Sequence, residues 1–117
     1  MEDRGYVETS NKFALKSLSL WVAEAEFGRL QLRNHIRSLE PNSSILEVGC
    51  GSGILISMLA EEFLSHNFTG IEPYGKGFSS LKDLRDRLQA NRAKLITEGY
   101  ENYQPKSKYD LIYCLNV

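Results

Sequence analysis

The 117-residue sequence is poor in cysteine, proline and tryptophan, and neither sign of charge dominates it. Its two cysteines, Cys50 and Cys114, stand far apart and outside any Cys-x-x-Cys pattern, which argues against a disulfide scaffold and fits a reducing compartment. The net charge of −1 gives no electrostatic reason to expect nucleic acid or an anionic membrane as the main partner. No apolar run approaches the roughly 20 residues that span a bilayer, and no secretory signal is present. These absences predict a cytoplasmic protein.

Metal chemistry is also not indicated by the sequence. His35 and His66 lie far from each other and from any cluster of cysteines or acids, so we predict no metal site. The length allows one modest domain, which is large enough to bury a core. With 42% hydrophobic and 25% charged residues, the composition is that of an ordinary globular protein.

The N-terminal third has the periodicity of a helix. Apolar residues recur at three- and four-residue spacing from Leu18 to Leu39, and Pro41 ends the pattern. Because glycine disfavours the helix interior, we expect Gly28 to interrupt it. Residues 1–40 are therefore predicted to form an N-terminal segment of one broken helix or two helices.

From residue 41 onward, strands and helices alternate. Short apolar runs predict strands, and stretches with helical spacing separate them. This alternation predicts an α/β domain over residues 41–117, with a parallel sheet joined by right-handed crossovers. The predicted strands cover residues 45–48, 68–72, 94–97 and 109–114, and the last of them is apolar enough to be buried on both faces.

The most informative stretch is Ile45-Leu46-Glu47-Val48-Gly49-Cys50-Gly51-Ser52-Gly53. A short apolar run carries an acid near its end, three glycines follow at alternate positions, and a helical pattern comes next. This order predicts a buried strand, a tight turn and the start of a helix. Such a turn lets a ligand lie against bare backbone at the carboxyl end of a strand.

Two other nucleotide-binding loops do not fit this spacing. The dinucleotide loop needs a glycine at its sixth position, where the two possible frames have Ile54 and Ile56. The phosphate loop needs Lys followed by Ser or Thr, and its nearest match, residues 70–77, ends in Gly77, which has no hydroxyl for magnesium. An oxidoreductase-type nucleotide domain is thus the weaker interpretation.

The remaining pattern, acid-x-Gly-x-Gly-x-Gly, resembles the first motif of the class I S-adenosylmethionine-dependent methyltransferases. The resemblance covers roughly residues 41–117 and implies a Rossmann-like, doubly wound parallel sheet. The family's sheet has seven strands in the order 3-2-1-4-5-7-6, of which this chain would supply 3-2-1-4, preceded by N-terminal helices. We therefore expect an incomplete sheet: either the domain continues beyond strand four, or a partner chain covers that edge.

The resemblance also implies a set of cofactor-binding residues. Glu72, at the end of strand two and beside Pro73, would bind the ribose, because a carboxylate has two oxygens that can accept from adjacent hydroxyls. The alternative is that Glu72 only caps the next helix. Glu47 would help to hold the cofactor's amino end, unless it merely caps its own turn. The turn residues expected to lie against the cofactor are Gly49, Cys50, Gly51 and Gly53, and Cys50 is not expected to be a nucleophile.

Two further segments complete the implied site. After strand three, the family often has an acid that meets the adenine, but this chain has Gly99 at that position, so Tyr100 is the candidate to pack on the base. The alternative is that this segment is only a solvated loop. After strand four, the backbone usually contacts the methionine end of the cofactor, which makes Cys114 and Asn116 candidates.

The implied function is methyl transfer from S-adenosylmethionine to an acceptor that we expect to be a small molecule. Such a reaction is an in-line attack on the methyl carbon of a sulfonium, and the protein mainly aligns the reactants. The sequence assigns no catalytic base. The alternative is a non-catalytic S-adenosylmethionine-binding or interaction module that a partner chain completes.

Overall fold

The computed structural model describes residues 4–75, 79–88 and 92–115. Every predicted strand is present, with each boundary within two residues of the expected one. None of the helices in the described part of the chain is long and apolar enough to cross a membrane. The elements in chain order are α1 (Arg4–Arg37), β1 (Ser44–Val48), α2 (Ile54–Glu62), β2 (Asn67–Ile71), α3 (Ser79–Leu88), β3 (Ala93–Ile96) and β4 (Leu111–Tyr113).

The four strands form one parallel sheet in the order β3-β2-β1-β4, which confirms the predicted topology. Helix α2 packs against β2 and β3, and α1 packs against α2. The core lies between these elements, where Ile36, Ile45, Ile56 and Leu59 are fully buried. In a sheet of this order the carboxyl ends of β1 and β2 lie side by side. Ligands bind at this end of the strands in open α/β folds.

Strand β4 lies at the edge of the sheet, and the residue before it is hydrogen-bonded to β1. The Asp110 Oδ2 atom accepts a hydrogen bond of 2.7 Å from the backbone N–H of Ser44, the first residue of β1. Ile112 is 58% exposed, so the expectation that β4 is buried on both faces is wrong for the described residues. The reason is that none of the described residues covers that side chain.

Helix α1 is continuous, so the predicted interruption at Gly28 is wrong. Gly28 is buried where α1 meets α2. A Cβ atom at this position would lie only 3.1 Å from the side chains of both Leu55 and Leu115. The missing side chain therefore lets the helices approach closely, and this packing outweighs the helix penalty of about 1 kcal/mol that glycine carries.

A network of ion pairs also joins α1 to α2. The Glu62 carboxylate accepts hydrogen bonds from Arg29 (Nη1–Oε1, 2.5 Å) and Arg33 (Nε–Oε2, 2.9 Å), and Arg37 lies 3.6 Å from Oε2. Partial burial of Glu62 disfavours its charge, but the hydrogen bonds from the two arginines outweigh this effect, so the pKa of Glu62 is lowered. Three arginines from successive turns of one helix thus converge on a single carboxylate of the other.

We predict that Glu62→Ala lowers the free energy of unfolding by about 1 kcal/mol, because a networked ion pair is worth somewhat more than an isolated surface pair. Urea unfolding of the purified protein measures the change, and Glu61→Ala, at the exposed neighbouring position, is the matched control. Because the pKa of Glu62 is lowered on folding, its contribution is present above the unfolded carboxyl pKa of about 4.3 and is lost as the pH falls further. Equal effects of the two substitutions would contradict this role.

Candidate ligand-binding site

The turn between β1 and α2 has a left-handed backbone at each of its three glycines. The φ angles are 76° at Gly49, 56° at Gly51 and 84° at Gly53. Residues with a side chain rarely adopt such angles, which explains the alternate glycines of the sequence. The backbone N–H groups of Gly49 and Cys50 both donate to the Ile71 carbonyl, at 2.9 and 3.1 Å, so the turn is tied to the end of β2.

The Cys50 side chain points away from solvent, against β2. A Cβ atom on Gly70 would lie 2.9 Å from the Cys50 Sγ atom, so only glycine leaves room for this thiol. Burial raises the pKa of Cys50 to about 12, with smaller contributions from Glu47 and Glu72. A thiol with this pKa is not a nucleophile near neutral pH, in agreement with the sequence-based expectation.

Glu72 lies against the glycine turn. Its Oε1 atom accepts a hydrogen bond of 3.2 Å from the Gly51 N–H, and its Oε2 atom accepts one of 3.3 Å from the Tyr74 N–H. The Tyr74 hydroxyl donates in turn to the Gly51 carbonyl, and the Arg85 guanidinium lies 4.8 Å from the centre of the Tyr74 ring. Each carboxylate oxygen retains a lone pair, so Glu72 can accept further hydrogen bonds from a ligand.

Glu47 is the second acid at the carboxyl end of these strands, and it is only 3% exposed. Among the described residues, its Oε1 atom has no hydrogen-bond partner, and neither has the hydroxyl of the buried Tyr113. Burial raises the pKa of Glu47 to about 8; the neighbouring Tyr113 hydroxyl lowers it and the charge of Glu72 adds to the rise. A buried carboxyl with an unpartnered oxygen is unfavourable by itself, and that oxygen is suited to pair with a cation or a hydrogen-bond donor.

A cavity of about 690 Å³ lies over the turn and between it and α1. Its volume is within the usual range for small-molecule sites, roughly 300–1,000 Å³. Five predicted cofactor residues line it, namely Glu47, Gly49, Cys50, Gly51 and Glu72. The other lining residues are Leu20, Ala23, Glu24, Ala25, Phe27, Gly28, Gln31, Ser52, Ile54, Leu55 and Leu115.

The remaining predicted cofactor residues in the described part of the chain do not border this cavity. Gly53 faces β3 instead, since a Cβ atom on it would lie 3.0 Å from Leu95. Tyr100 is 74% exposed, and the Gly99 carbonyl accepts hydrogen bonds within its own loop. Pro73 and Cys114 are also exposed, and Asn116 lies outside the described residues. Binding roles for these six residues stay predictions.

Sequence reasoning missed the side chains that α1 contributes. Leu20, Glu24, Phe27 and Gln31 recur at helical spacing, and this signal was visible in the sequence. The spacing alone does not reveal which side of α1 turns to α2 and which side borders the cavity. Tyr74 and Tyr113 were missed for a related reason, because their contacts join distant parts of the chain.

The arrangement fits an S-adenosyl cofactor. The turn offers glycine backbone, Glu72 offers two acceptor oxygens suited to a ribose diol, and the Oε1 atom of Glu47 is an unpartnered acceptor for a cationic group. In the described part of the chain, no group of three or more His, Cys, Asp or Glu side chains could hold a metal ion.

Comparison with known proteins gives an independent result. Residues 16–117 match the family described as a methyltransferase domain. An uncharacterised protein of Mycobacterium tuberculosis (strain H37Rv) is 34% identical over 82% of this chain and 33% of its own length. The ubiquinone biosynthesis O-methyltransferase of Rickettsia typhi is 30% identical over 91% of this chain and 47% of its own length. The chain thus spans between about a third and a half of these relatives.

A solved structure shares the fold. The plantazolicin methyltransferase BpumL, determined in complex with SAH, superposes with a TM-score of 0.55 at 19% identity, over 97% of this chain and 42% of its own. The strand order, the glycine turn and the match over residues 16–117 lead to one assignment. The chain belongs to the class I S-adenosylmethionine-dependent methyltransferase family.

Proposed function

We propose that this chain binds S-adenosylmethionine in the cavity over the glycine turn and forms the cofactor-binding part of a methyltransferase with a small-molecule acceptor. The observation that carries the proposal is the convergence of two acids on a turn of bare backbone. Glu72 is hydrogen-bonded to the turn itself, and the buried Glu47 lines the same cavity with an unpartnered oxygen. A ligand with a diol at one end and a cation at the other suits such a pair of acids.

Each residue in or beside the turn contacts a different part of the cofactor in this proposal. Gly49 and Gly51 leave space for the adenosyl group, while their left-handed backbone keeps the turn close to Glu72. Glu72 accepts from the ribose hydroxyls, and Gly51 and Tyr74 hold its carboxylate in place for that contact. Glu47 balances the charge of the cofactor's cationic end.

Bound S-adenosylmethionine supplies a methyl group that its positive sulfur already activates. The chain's own contribution is to fix the methyl donor and keep water away from it, and positioning of this kind can supply roughly 7–11 kcal/mol in favourable cases. We assign no described residue as a base. The activity of the whole protein therefore depends also on the acceptor and on residues that hold it.

The organisation of the protein follows from this proposal. Residues 41–117 form the cofactor-binding domain and residues 1–40 an N-terminal helical segment, in which side chains between residues 20 and 31 border the cavity. The open edge of β4, with Ile112 exposed, calls for a further segment of the domain or for a partner chain beside it. The free thiols of Cys50 and Cys114 favour a reducing compartment, so we propose the cytoplasm as the location.

We predict that Glu72→Ala weakens the binding of S-adenosylhomocysteine, measured by titration calorimetry, by about 1–3 kcal/mol, because the ribose hydroxyls lose their acceptor. The control is Glu98→Ala at an exposed position after β3. Unchanged affinity in Glu72→Ala would remove Glu72 from the site. Binding of NAD without binding of S-adenosylhomocysteine would contradict the proposed function, and cofactor binding without any turnover would favour the non-catalytic module.

The carboxyl of Glu47 should link stability to pH. Because its pKa is raised to about 8, the folded protein keeps a proton that the unfolded chain loses, so the contribution of Glu47 to stability is most favourable at low pH and becomes less favourable as the pH rises toward 8. Between about pH 5 and pH 8 we expect the free energy of unfolding to decrease, by at most about 1.4 kcal/mol per pH unit. Glu47→Gln should flatten this dependence in urea unfolding.

Ligand binding should counteract this loss. Saturating S-adenosylmethionine favours ionised Glu47, so it should stabilise the wild-type protein more at pH 8 than at pH 6, and Glu47→Gln should show no such difference. The other groups that face Glu47, namely Glu72, Cys50 and Tyr113, are the same in both proteins. Parallel pH profiles for the two proteins would contradict the role given to Glu47.

A further inference from the structure

Tyr74, two residues after Glu72, has a left-handed backbone, which is unusual for a residue with a side chain. Its φ angle is 50°. Such a conformation persists only where the surrounding contacts hold it, and it occurs most often at functional sites. At Tyr74 the backbone N–H donates to Glu72 Oε2, and the hydroxyl at the other end of the residue donates to the Gly51 carbonyl. Hydrogen bonds at both ends therefore fix this residue.

These contacts form a closed chain of hydrogen bonds between the glycine turn and Glu72. The Gly51 N–H donates to Glu72 Oε1, the Gly51 carbonyl accepts from the Tyr74 hydroxyl, and the Tyr74 N–H donates to Glu72 Oε2. Burial raises the pKa of the Tyr74 hydroxyl well above its usual value, so the hydroxyl keeps its proton and remains a donor. Both backbone polar groups of Gly51 and both carboxylate oxygens of Glu72 thus take part.

Arg85 joins α3 to this closed chain. Its guanidinium lies 4.8 Å from the centre of the Tyr74 ring, within the range of a cation–π contact. Its Nη1 atom donates to the Thr97 hydroxyl just after β3, at 2.8 Å, and its Nη2 atom lies 3.0 Å from the Asp86 carboxylate. The Arg85 side chain is only 13% exposed. Because a charged side chain is rarely buried without such partners, we infer that Arg85 is held in place against the Tyr74 ring.

Tyr74 and Arg85 are not among the described residues that line the cavity, whereas Gly51 and Glu72 are. A ligand in the cavity therefore meets the turn and the carboxylate, and the other two residues lie behind them. The Glu72 backbone is fixed as well, because its N–H donates to the Ile96 carbonyl at the end of β3, at 3.1 Å. We thus expect Tyr74 and Arg85 to affect a ligand through the groups that they hold.

We propose that Tyr74 and Arg85 are positioning residues for cofactor binding. Arg85 fixes the Tyr74 ring, and the Tyr74 hydroxyl keeps the glycine turn and Glu72 in the arrangement that meets the ribose hydroxyls. Without these contacts, the carboxylate would have to be ordered when the ligand binds, at a cost in conformational entropy. The inference rests on the proposed function, because it takes Glu72 to bind the ribose. It adds a contribution from α3, none of whose described side chains lines the cavity.

Titration calorimetry with S-adenosylhomocysteine tests the role of the Tyr74 hydroxyl. Tyr74→Phe removes the hydroxyl and keeps the ring beneath Arg85, so it should weaken binding by about fivefold, the effect of one lost hydrogen bond. Tyr103→Phe is the matched control. It also removes one hydrogen-bonded hydroxyl, which contacts Tyr109 away from the cavity, and it should leave the affinity unchanged.

A double-mutant cycle tests whether Tyr74 acts through Glu72. In a Glu72→Ala background the hydroxyl has no carboxylate to position, so Tyr74→Phe should then change the affinity by less than about twofold. A tyrosine that contacts the cofactor directly, or that only stabilises the fold, would instead weaken binding about fivefold in both backgrounds. The cycle therefore separates a positioning role from these two alternatives.

Backbone amide NMR of the protein without ligand tests the contribution of α3. Arg85→Gln removes the cation from the Tyr74 ring, and it should shift the amide signals of Gly51 and Tyr74 and weaken S-adenosylhomocysteine by about threefold. Lys82→Gln removes a cation from an exposed position of the same helix and should change neither the signals nor the affinity.

Three outcomes would overturn the inference. They are additive effects of Tyr74→Phe and Glu72→Ala, equal effects of Tyr74→Phe and Tyr103→Phe, and a Gly51 signal that Arg85→Gln leaves unmoved. Failure of S-adenosylhomocysteine to bind the wild-type protein would instead contradict the proposed function, whatever the signals of the free protein show. Thermal unfolding of each variant shows that the fold is retained.

Discussion

The left-handed backbone of the turn after β1 is the constraint on which the site depends. With glycines at residues 49, 51 and 53, the chain can reverse direction within a few residues and start α2 directly above the sheet. The same turn accepts no bulky side chain, and its amides bond to the Ile71 carbonyl at the end of β2. As a result, the acid that follows β2 and the acid near the end of β1 face one cavity. A side chain at any of these glycines would strain the turn, and at Gly49 or Gly51, which line the cavity, it would also take up space there.

The electrostatics of the cavity follow from this geometry. Glu47 is buried and has an unpartnered oxygen in the described part of the chain, and Glu72 is held beside it by backbone amides. Burying a carboxyl without a partner is unfavourable, and the raised pKa of Glu47 shows that protonation relieves part of this cost in the free protein. A cationic ligand relieves it differently, by pairing with the ionised form. The free site therefore favours a cationic ligand, which is the charge at the end of the cofactor that we propose to lie beside Glu47.

Local sequence predicts some parts of this structure well. The four strands, the tight turn and the position of Glu72 at the turn follow from short apolar runs, glycine spacing and the length of one βαβ unit. The order of the strands came from the resemblance to a family. The continuity of α1 through Gly28 and the contribution of Phe27 to the cavity wall did not follow, because both depend on how α1 docks against α2. Periodicity identifies a helix, but only tertiary contacts decide which face is buried and which borders a site.

The central claim is that the glycine turn, flanked by its two acids, is the place where the adenosyl cofactor binds. Backbone amide NMR of the ¹⁵N-labelled protein, titrated with S-adenosylhomocysteine, tests this claim most directly. The account predicts that the amide signals of Gly49, Gly51 and Glu72 shift most and saturate together. Saturable binding that leaves these three signals unmoved, with the largest shifts elsewhere in the chain, would contradict it.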